Sequence, residues 1–161
     1  MLTKGTPASR VRKTPDGVPA GKVDRANLDS LVGFRMRMAY VAISRRFASI
    51  MAKLDLTQKQ TGVLWMIGAN GGISQVTLAS ELGMDRASMM AIIDRLADRQ
   101  LLIRERSSSD GRRQELYLTP KGQKVLALSK AAVAEHEKWI ADNVGKDDIA
   151  DLLGLLRRID R

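Results

Sequence analysis

The residues best placed to do chemistry in this chain are two arginines beside a turn. Ser107-Ser108-Ser109-Asp110-Gly111 has turn composition, because Asp can bond its own backbone and Gly adopts unusual dihedral angles. Arg112 and Arg113 follow at once, between two strand-like runs, Leu101–Arg106 and Gln114–Leu118. Guanidinium groups at a hairpin tip suit phosphates or the negative minor groove of DNA. The alternative is an exposed hairpin whose arginines only aid solubility.

No set of residues in this sequence predicts catalysis. The chain has no cysteine and one histidine, His136, without an evident partner. It also lacks a Gly-rich phosphate loop and any cluster with metal-ligand spacing. The absence of cysteine excludes disulfides, thiolate metal sites and a cysteine-based peroxide sensor. We therefore expect no enzyme activity, no metal and no cofactor, and we interpret His136 as a packed or half-exposed helix residue.

Two helix patterns precede the hairpin. The first is Leu78–Gly83, and the second runs from Asp85 to Arg99. Gly83 tolerates the left-handed conformation of a tight helix end, and Asp85 is a good N-cap. One face of the second helix carries apolar residues at spacings of three and four, which predicts burial: Met89, Ile92, Ile93 and Leu96.

The opposite side of the second helix points outward. Short side chains and mild basicity at its N-terminal end suit a DNA major groove. Helix, tight turn, helix and basic hairpin together predict a winged helix-turn-helix. In the alternative interpretation, Arg86 and Arg95 are solvated helix charges. The candidate DNA-contacting residues before the hairpin are Ser74 and Gln75 at the start of the first helix, then Asp85, Arg86, Ala87, Ser88, Met90 and Arg95.

The hairpin and the two helices resemble the MarR family (multiple antibiotic resistance regulators). Asp110–Gly122 is similar to that family's wing signature, D-x-R then L-T-x-x-G. Leu78-Ala79…Leu82-Gly83…Asp94-Arg95-Leu96 resembles its helix-turn-helix. The resemblance covers Leu28 to Ile159, nearly the whole chain outside the N-terminal tail.

This resemblance implies residue roles. Arg112 would enter the minor groove, Asp110 would hold the wing tip, and Asp85–Met90 would read the major groove. The chain departs from the family pattern at two positions. Ala91 stands where members often carry a longer polar or basic residue, and Gln100 stands where Gly usually ends the recognition helix.

Length and charge agree with a nucleic-acid partner. The chain has 161 residues, 44% of them hydrophobic, which is enough for one compact domain or two joined lobes. Its net charge of +9 favours a polyanion. The sequence shows no long apolar run and no signal-peptide pattern, so we expect a cytoplasmic protein with no membrane contact.

We expect a mainly α fold with a small β wing, in three parts. Residues 1–26 form a basic tail, which is either a disordered solubilising segment or an arm that touches DNA or closes over an anion. Residues 55–119 form the winged helix-turn-helix lobe. Residues 27–54 and 120–161 form a helical dimerisation region.

The flanking helices predict a homodimer. A long helix, Leu28–Leu54, carries two apolar stripes and therefore two buried faces. A helix from Thr119-Pro120 to about Asn143 and a last helix, Asp147–Arg158, are too apolar to stand alone. A twofold dimer matches a palindromic DNA site. The predicted interface residues are Leu31, Trp139, Leu152 and Leu156.

Small residues predict a ligand cavity near the helix Asp55–Asn70, which Thr57 should cap. Thr61 and Gly62 leave room against the long helix, since Gly inside a helix is otherwise unfavourable. The alternative is close packing of the two helices. The candidate ligand residues are Thr61, Gly62, the possible walls Tyr40, Phe47 and Trp65, and Arg46 for an anionic group.

The resemblance implies a homodimeric, ligand-responsive transcriptional regulator. Repression is the usual family mode, with release from the operator by an aromatic or phenolic carboxylate or its coenzyme A thioester. An architectural DNA-binding dimer without a ligand is the alternative. A winged helix that binds only protein is a third class. The operator, the target genes, the direction of control and the effector do not follow from the sequence.

Overall fold

Helices form most of the regular structure of this chain. The computed structural model describes residues 25–107 and 114–159, so Asp110, Arg112 and Arg113 lie outside the described residues, as do residues 1–24 of the tail. The mainly α fold with a two-stranded antiparallel sheet confirms the predicted class. The elements are α1 (Val32–Met51), α2 (Gln58–Ala69), α3 (Gln75–Glu81), α4 (Arg86–Asp98), β1 (Leu102–Arg106), β2 (Gln114–Leu118), α5 (Pro120–Val144) and α6 (Ile149–Leu156).

Two predicted helices are shorter than their apolar patterns. The helix expected over Leu28–Leu54 is α-helical only in α1, and 3-10 turns flank it at Leu28–Ser30 and Ala52–Leu54. The backbone leaves the helix at Asp55, which takes a left-handed conformation with φ 48°. The last helix is two residues shorter at each end than Asp147–Arg158. Apolar periodicity marks a buried face, but it does not mark where the backbone hydrogen bonding ends.

The chain divides into two compact units, Met1–Met38 and Ala39–Arg161. In the described part of the first unit, Asp29 holds two arginines. Its Oδ1 lies 3.1 Å from Nη1 of Arg35 and 3.5 Å from Nη1 of Arg25. All three side chains are well exposed, so these pairs organise the turn before α1 more than they stabilise it.

Side-chain caps start three helices at the predicted residues. Thr57 forms a capping box with Gln60: the Thr57 hydroxyl accepts from the Gln60 N–H at 3.2 Å, and the Gln60 side chain accepts from the Thr57 N–H at 2.9 Å. Asp85 Oδ1 accepts from the Ser88 N–H at 2.8 Å, which starts α4. Thr119 starts α5 with Pro120 in its first turn. These contacts confirm the predicted starts.

The core of the second unit lies between α2, α3, α4 and the sheet. The predicted inward face of α4 is buried at Met89, Ile93 and Leu96, and Ile92 is half-buried. Because this face of α4 is buried, the opposite face of the helix points outward. The main residues packed with them are Val63, Leu64, Ile67, Leu78, Leu101, Leu102, Leu116 and Leu126.

A close junction joins the sheet to α5. The Thr119 hydroxyl donates to the Gln100 carbonyl at 2.7 Å and accepts from the Gly122 N–H at 3.0 Å. A Cβ on Gly122 would stand 1.8 Å from the Leu101 carbonyl oxygen, so only glycine fits there. The Thr and Gly of the L-T-x-x-G part of the wing signature thus form this junction.

The hairpin pairs in simple antiparallel register. Leu102 opposes Leu118, and Arg106 opposes Gln114 next to the undescribed tip. An isolated bridge joins Ile73 to Leu116, with the Leu116 N–H donating to the Ile73 carbonyl at 3.1 Å. This bridge connects the Ile73 segment before α3 to the second strand of the hairpin.

Candidate functional site

The turn between α3 and α4 sets the angle of the second helix. Gly83 has φ +58°, and the Met84 N–H donates to the Ala79 carbonyl at 2.8 Å, which closes the turn. Hydrogen bonding from Ser88 lowers the pKa of Asp85 below its ordinary 3.8. The Asp85 carboxylate therefore stays ionised and is engaged at the helix start.

The outward side of α4 is uncovered in the described residues. Arg86 and Ala87 are exposed, Ser88 is half-buried, and Met90 is 51% exposed. Arg95 is exposed in the last turn of the same helix. The predicted major-groove residues thus share one accessible helix, with Asp85 occupied as its cap.

Ser74 and Gln75 stand at the start of α3, as predicted. The Ser74 hydroxyl accepts from the Thr77 N–H at 3.1 Å and lies 2.9 Å from the Thr77 hydroxyl. Gln75 is the first helical residue and is half-buried. Ser74 therefore orders this helix start, and its hydroxyl is already engaged.

A salt bridge fixes the hairpin against the recognition helix. The Arg104 guanidinium on β1 pairs with the Asp94 carboxylate on α4. Arg106, at the hairpin end of β1, is exposed. Sequence analysis gave Arg104 and Arg106 no role. Their place next to the predicted wing tip was a signal available in the sequence.

A cavity of about 460 Å³ opens beside the C-terminal half of α1. Two of its walls, Tyr40 and Phe47, were predicted as ligand residues. The others were not predicted, although the break between α1 and the Thr57 cap was visible in the sequence. The complete lining is Tyr40, Ser44, Phe47, Ala48, Ala52, Asp55, Leu56, Thr57 and Gln58.

The other predicted ligand residues have different neighbours. The Thr61 hydroxyl donates to the Thr57 carbonyl at 3.0 Å. A Cβ on Gly62 would meet Leu82 at an ordinary 3.9 Å, so close packing does not require glycine there.

Two cations stack on the tryptophans. The Lys130 ammonium lies 5.0 Å from the ring centre of Trp65, and the Arg46 guanidinium lies 5.0 Å from that of Trp139. Neither Trp65 nor Arg46 lines the cavity. The structure thus brings only Tyr40 and Phe47 of the predicted ligand set together at this cavity.

His136 is buried next to a wall of this cavity. Its side chain is 2% exposed, and its ring meets Phe47 edge-on at 5.4 Å and Trp139 in a stack at 5.9 Å. Neither ring nitrogen has a hydrogen-bond partner in the described residues. Burial lowers the pKa of His136 below its ordinary 6.5, so the ring is neutral at pH 7. Sequence analysis treated this residue only as packing.

The predicted interface residues lie on incompletely covered surfaces of their own units. In the second unit, Leu156 is 38% exposed, while Leu152 and Trp139 are half-buried. Leu153 and Leu155 on α6 are also exposed. In the first unit, Leu31 is 53% exposed.

Two kinds of feature are absent from the described residues. No group of three or more His, Asp or Glu side chains in them could hold a metal ion. None of their helices combines the length and apolarity needed to cross a membrane.

The two-helix turn, the outward recognition helix and the antiparallel hairpin define a winged helix-turn-helix protein of the DNA-binding class. The sequence profile of the MarR family matches residues 54–113. A transcriptional regulatory protein for the hcr operon of Thauera aromatica is 31% identical over 131 residues, which cover 81% of this chain and 79% of that protein. The chain therefore belongs to the MarR family of transcriptional regulators, as its motifs predicted.

Solved structures agree in fold over most of the chain. The transcriptional repressor CouR bound to a 23-mer DNA duplex is 34% identical with a TM-score of 0.83, covering 88% of this chain and 100% of CouR. CouR bound to p-coumaroyl-CoA is 33% identical with a TM-score of 0.80, covering 87% and 99%.

Proposed function

We propose that this chain is a homodimeric repressor that binds a palindromic operator and releases it when an aromatic effector binds. The observation that carries the proposal is the uncovered outward side of α4, held at a fixed angle beside the arginine-bearing hairpin. CouR, which is similar over almost the whole chain, is a repressor that binds duplex DNA. A regulator of this kind acts where the chromosome is, so we expect it in the cytoplasm.

Two kinds of contact support DNA reading by α4. Arg86 is an exposed cation at the start of the helix, suited to a phosphate or a guanine edge. Met90 presents an exposed apolar side chain that can pack on a thymine methyl group. The net charge of +9 adds sequence-independent attraction to phosphates. We assign the wing contact to Arg112 and Arg113 from the sequence motif.

The apolar surface of α6 supports a dimer. Leu153, Leu155 and Leu156 are all more than a third exposed on a helix of eight residues. Monomeric proteins rarely leave such a patch in water, and a second copy of the chain would cover it. A twofold arrangement also presents two recognition helices to successive major grooves.

The cavity beside α1 supports an aromatic effector with its charge outside. Tyr40, Phe47 and Leu56 give it apolar walls, and its volume falls in the range of about 300–1,000 Å³ typical of ligand sites. Among the described lining residues the charged side chain is Asp55, an acid. The Asp55 side chain is exposed, and its Oδ2 lies 3.9 Å from Nη1 of Arg99, so none of the described lining residues offers a cation to an aromatic carboxylate. We therefore favour an acyl thioester, whose ring enters the cavity while its anionic part stays outside, and CouR binds one such compound, p-coumaroyl-CoA.

The test begins with selection of bound sequences from random duplexes. A repressor should prefer the selected palindrome over a shuffled duplex by about a thousandfold or more at fixed salt. Adding p-coumaroyl-CoA as the probe should then release the operator. Arg112→Ala should weaken binding by about 1–3 kcal/mol, whereas Lys138→Ala, an exposed control on α5, should not.

Other results would point elsewhere. Equal affinity for selected and shuffled duplexes would identify an architectural DNA-binding protein. If the protein bound neither DNA nor heparin, a winged helix that binds only protein would be the better interpretation.

A further inference from the structure

Three buried polar atoms in the described part of the chain have no hydrogen-bond partner. They are the Ser44 hydroxyl oxygen and both ring nitrogens of His136. Buried polar atoms in folded proteins are almost always hydrogen-bonded, since an unsatisfied one is unfavourable. An unpaired set in one region is therefore a candidate place for a ligand's polar group.

The three atoms belong to residues grouped around one side chain, Phe47. Ser44 precedes Phe47 by three residues on α1, so the two share a helix face, and both line the cavity. The Phe47 ring meets the imidazole of His136 edge-on at 5.4 Å. Phe47 thus contacts both the cavity that it lines and the buried imidazole of His136.

The surroundings of these atoms are aromatic and apolar. Tyr40, Ala48 and Leu56 line the cavity with Phe47. Trp139 stacks on the imidazole at 5.9 Å with an interplanar angle of 18°. The Arg46 guanidinium is placed over the Trp139 ring, 5.0 Å from its centre. An aromatic ring carrying one small polar group matches this space better than a charged group does.

We propose that Ser44 and His136 form the polar end of the effector site and bind a hydroxyl group on the effector's aromatic ring. The proposal rests on the proposed ligand-responsive function. A neutral imidazole has one N–H donor and one acceptor nitrogen that point in different directions, and a serine hydroxyl can act as either, so a ligand hydroxyl can pair with Ser44 and with one of the two His136 nitrogens. Phe47 sets the entry to this end, and the ring of the effector packs against Tyr40 and Phe47.

The test compares two thioesters that differ in one hydroxyl group, p-coumaroyl-CoA and cinnamoyl-CoA, by calorimetric titration of the full chain. The wild-type protein should bind the hydroxylated compound at least about tenfold more tightly, because a site built to bond a hydroxyl rejects the analogue that lacks it. His136→Phe should abolish this preference and retain affinity for cinnamoyl-CoA.

Ser44→Ala should reduce the same preference and provides a second test if His136→Phe does not fold. Ser129→Ala is the matched control: Ser129 is also buried, but its hydroxyl already donates to the Leu126 carbonyl at 2.8 Å. This variant should keep the wild-type preference for the hydroxylated ring.

The outcomes separate this inference from the proposed function. Equal binding of the two thioesters, or a preference that survives both His136→Phe and Ser44→Ala, would overturn the hydroxyl site and leave the ligand-responsive repressor standing. If wild-type protein binds its operator but neither thioester, the acyl-thioester effector is wrong and the hydroxyl site falls with it.

Discussion

The guanidinium of Arg99 donates a hydrogen bond to the Leu54 carbonyl, with 2.8 Å between Nη2 and the oxygen. Its Nη1 donates to the Asp55 carbonyl at 2.5 Å. Arg99 caps the C-terminal end of α4, and Asp55 lines the cavity. The end of the recognition helix and the rim of the candidate effector site are thus joined by one side chain. Under the proposed function, Arg99 would link the effector site to the helix that reads DNA.

Arg99→Ala should lower the free energy of unfolding by about 1–3 kcal/mol, because the partly buried Leu54 carbonyl and the exposed Asp55 carbonyl lose their charged donor. Denaturant titration at fixed protein concentration measures the change. Arg99→Lys should recover only part of the loss, since an ammonium keeps the charge but not the planar two-donor geometry. Lys124→Ala removes an exposed cation from α5 and should leave the midpoint unchanged. Equal stability of Arg99→Ala and wild type would mean that this contact does not stabilise the fold.

Gln100→Gly should stabilise the protein by roughly 1 kcal/mol, because a residue with a side chain is strained in the left-handed region. Gln100 has φ +59°, and its N–H donates to the Ala97 carbonyl at 2.7 Å at the end of α4. Asp98→Gly, at the last residue of α4, should act in the opposite direction by about 0.5–1 kcal/mol. Thermal melts of the two variants show directly whether each change raises or lowers stability. A lower melting temperature for Gln100→Gly would show that contacts of the Gln100 side chain stabilise the fold more than the positive φ destabilises it.

The stability of the protein should fall as the pH drops below 6.5 through the titration of His136. Burial lowers the pKa of His136 from its ordinary 6.5; nearby Glu137 opposes this shift and Arg46 adds to it. Below pH 6.5 the unfolded chain binds a proton that the folded chain resists, so stability declines until the folded pKa is passed and then levels off. Above pH 6.5 neither state is protonated, and the contribution of His136 is constant.

Unfolding midpoints at about pH 7.5 and about pH 5.5 test this, since histidine is the side chain that titrates in that window. His136 is the single histidine of the chain, so His136→Phe should remove most of the difference between the two midpoints. An equal difference in the variant would mean that other groups cause the pH dependence.

Leu156→Asp should break or weaken the proposed dimer, because it would place an unpaired charge in an apolar interface. Sedimentation at several protein concentrations gives the oligomeric state. Ile103→Asp is a matched control: Ile103 is exposed to a similar degree but lies on β1. An unchanged sedimentation profile for Leu156→Asp would exclude this side chain from the interface.

Local signals determined the elements of this fold and their order. Thr57, Asp85 and Thr119 each cap a helix at the predicted place, and Gly83 makes the predicted turn. A cap or a turn depends on atoms within about four residues, so the sequence contains the whole cause. The same holds for the inward face of α4, because periodicity places residues on a face without knowledge of the neighbouring helix.

The meeting of side chains from different elements was decided only by the tertiary structure. Trp65 was predicted to face the cavity, yet it packs under Lys130, while Ser44 lines the cavity unpredicted. His136 is a candidate ligand residue because the packing around α5 buries its ring nitrogens without a hydrogen-bond partner among the described residues. Periodicity says that a face is buried but not which partner covers it, because that depends on how separate helices pack together.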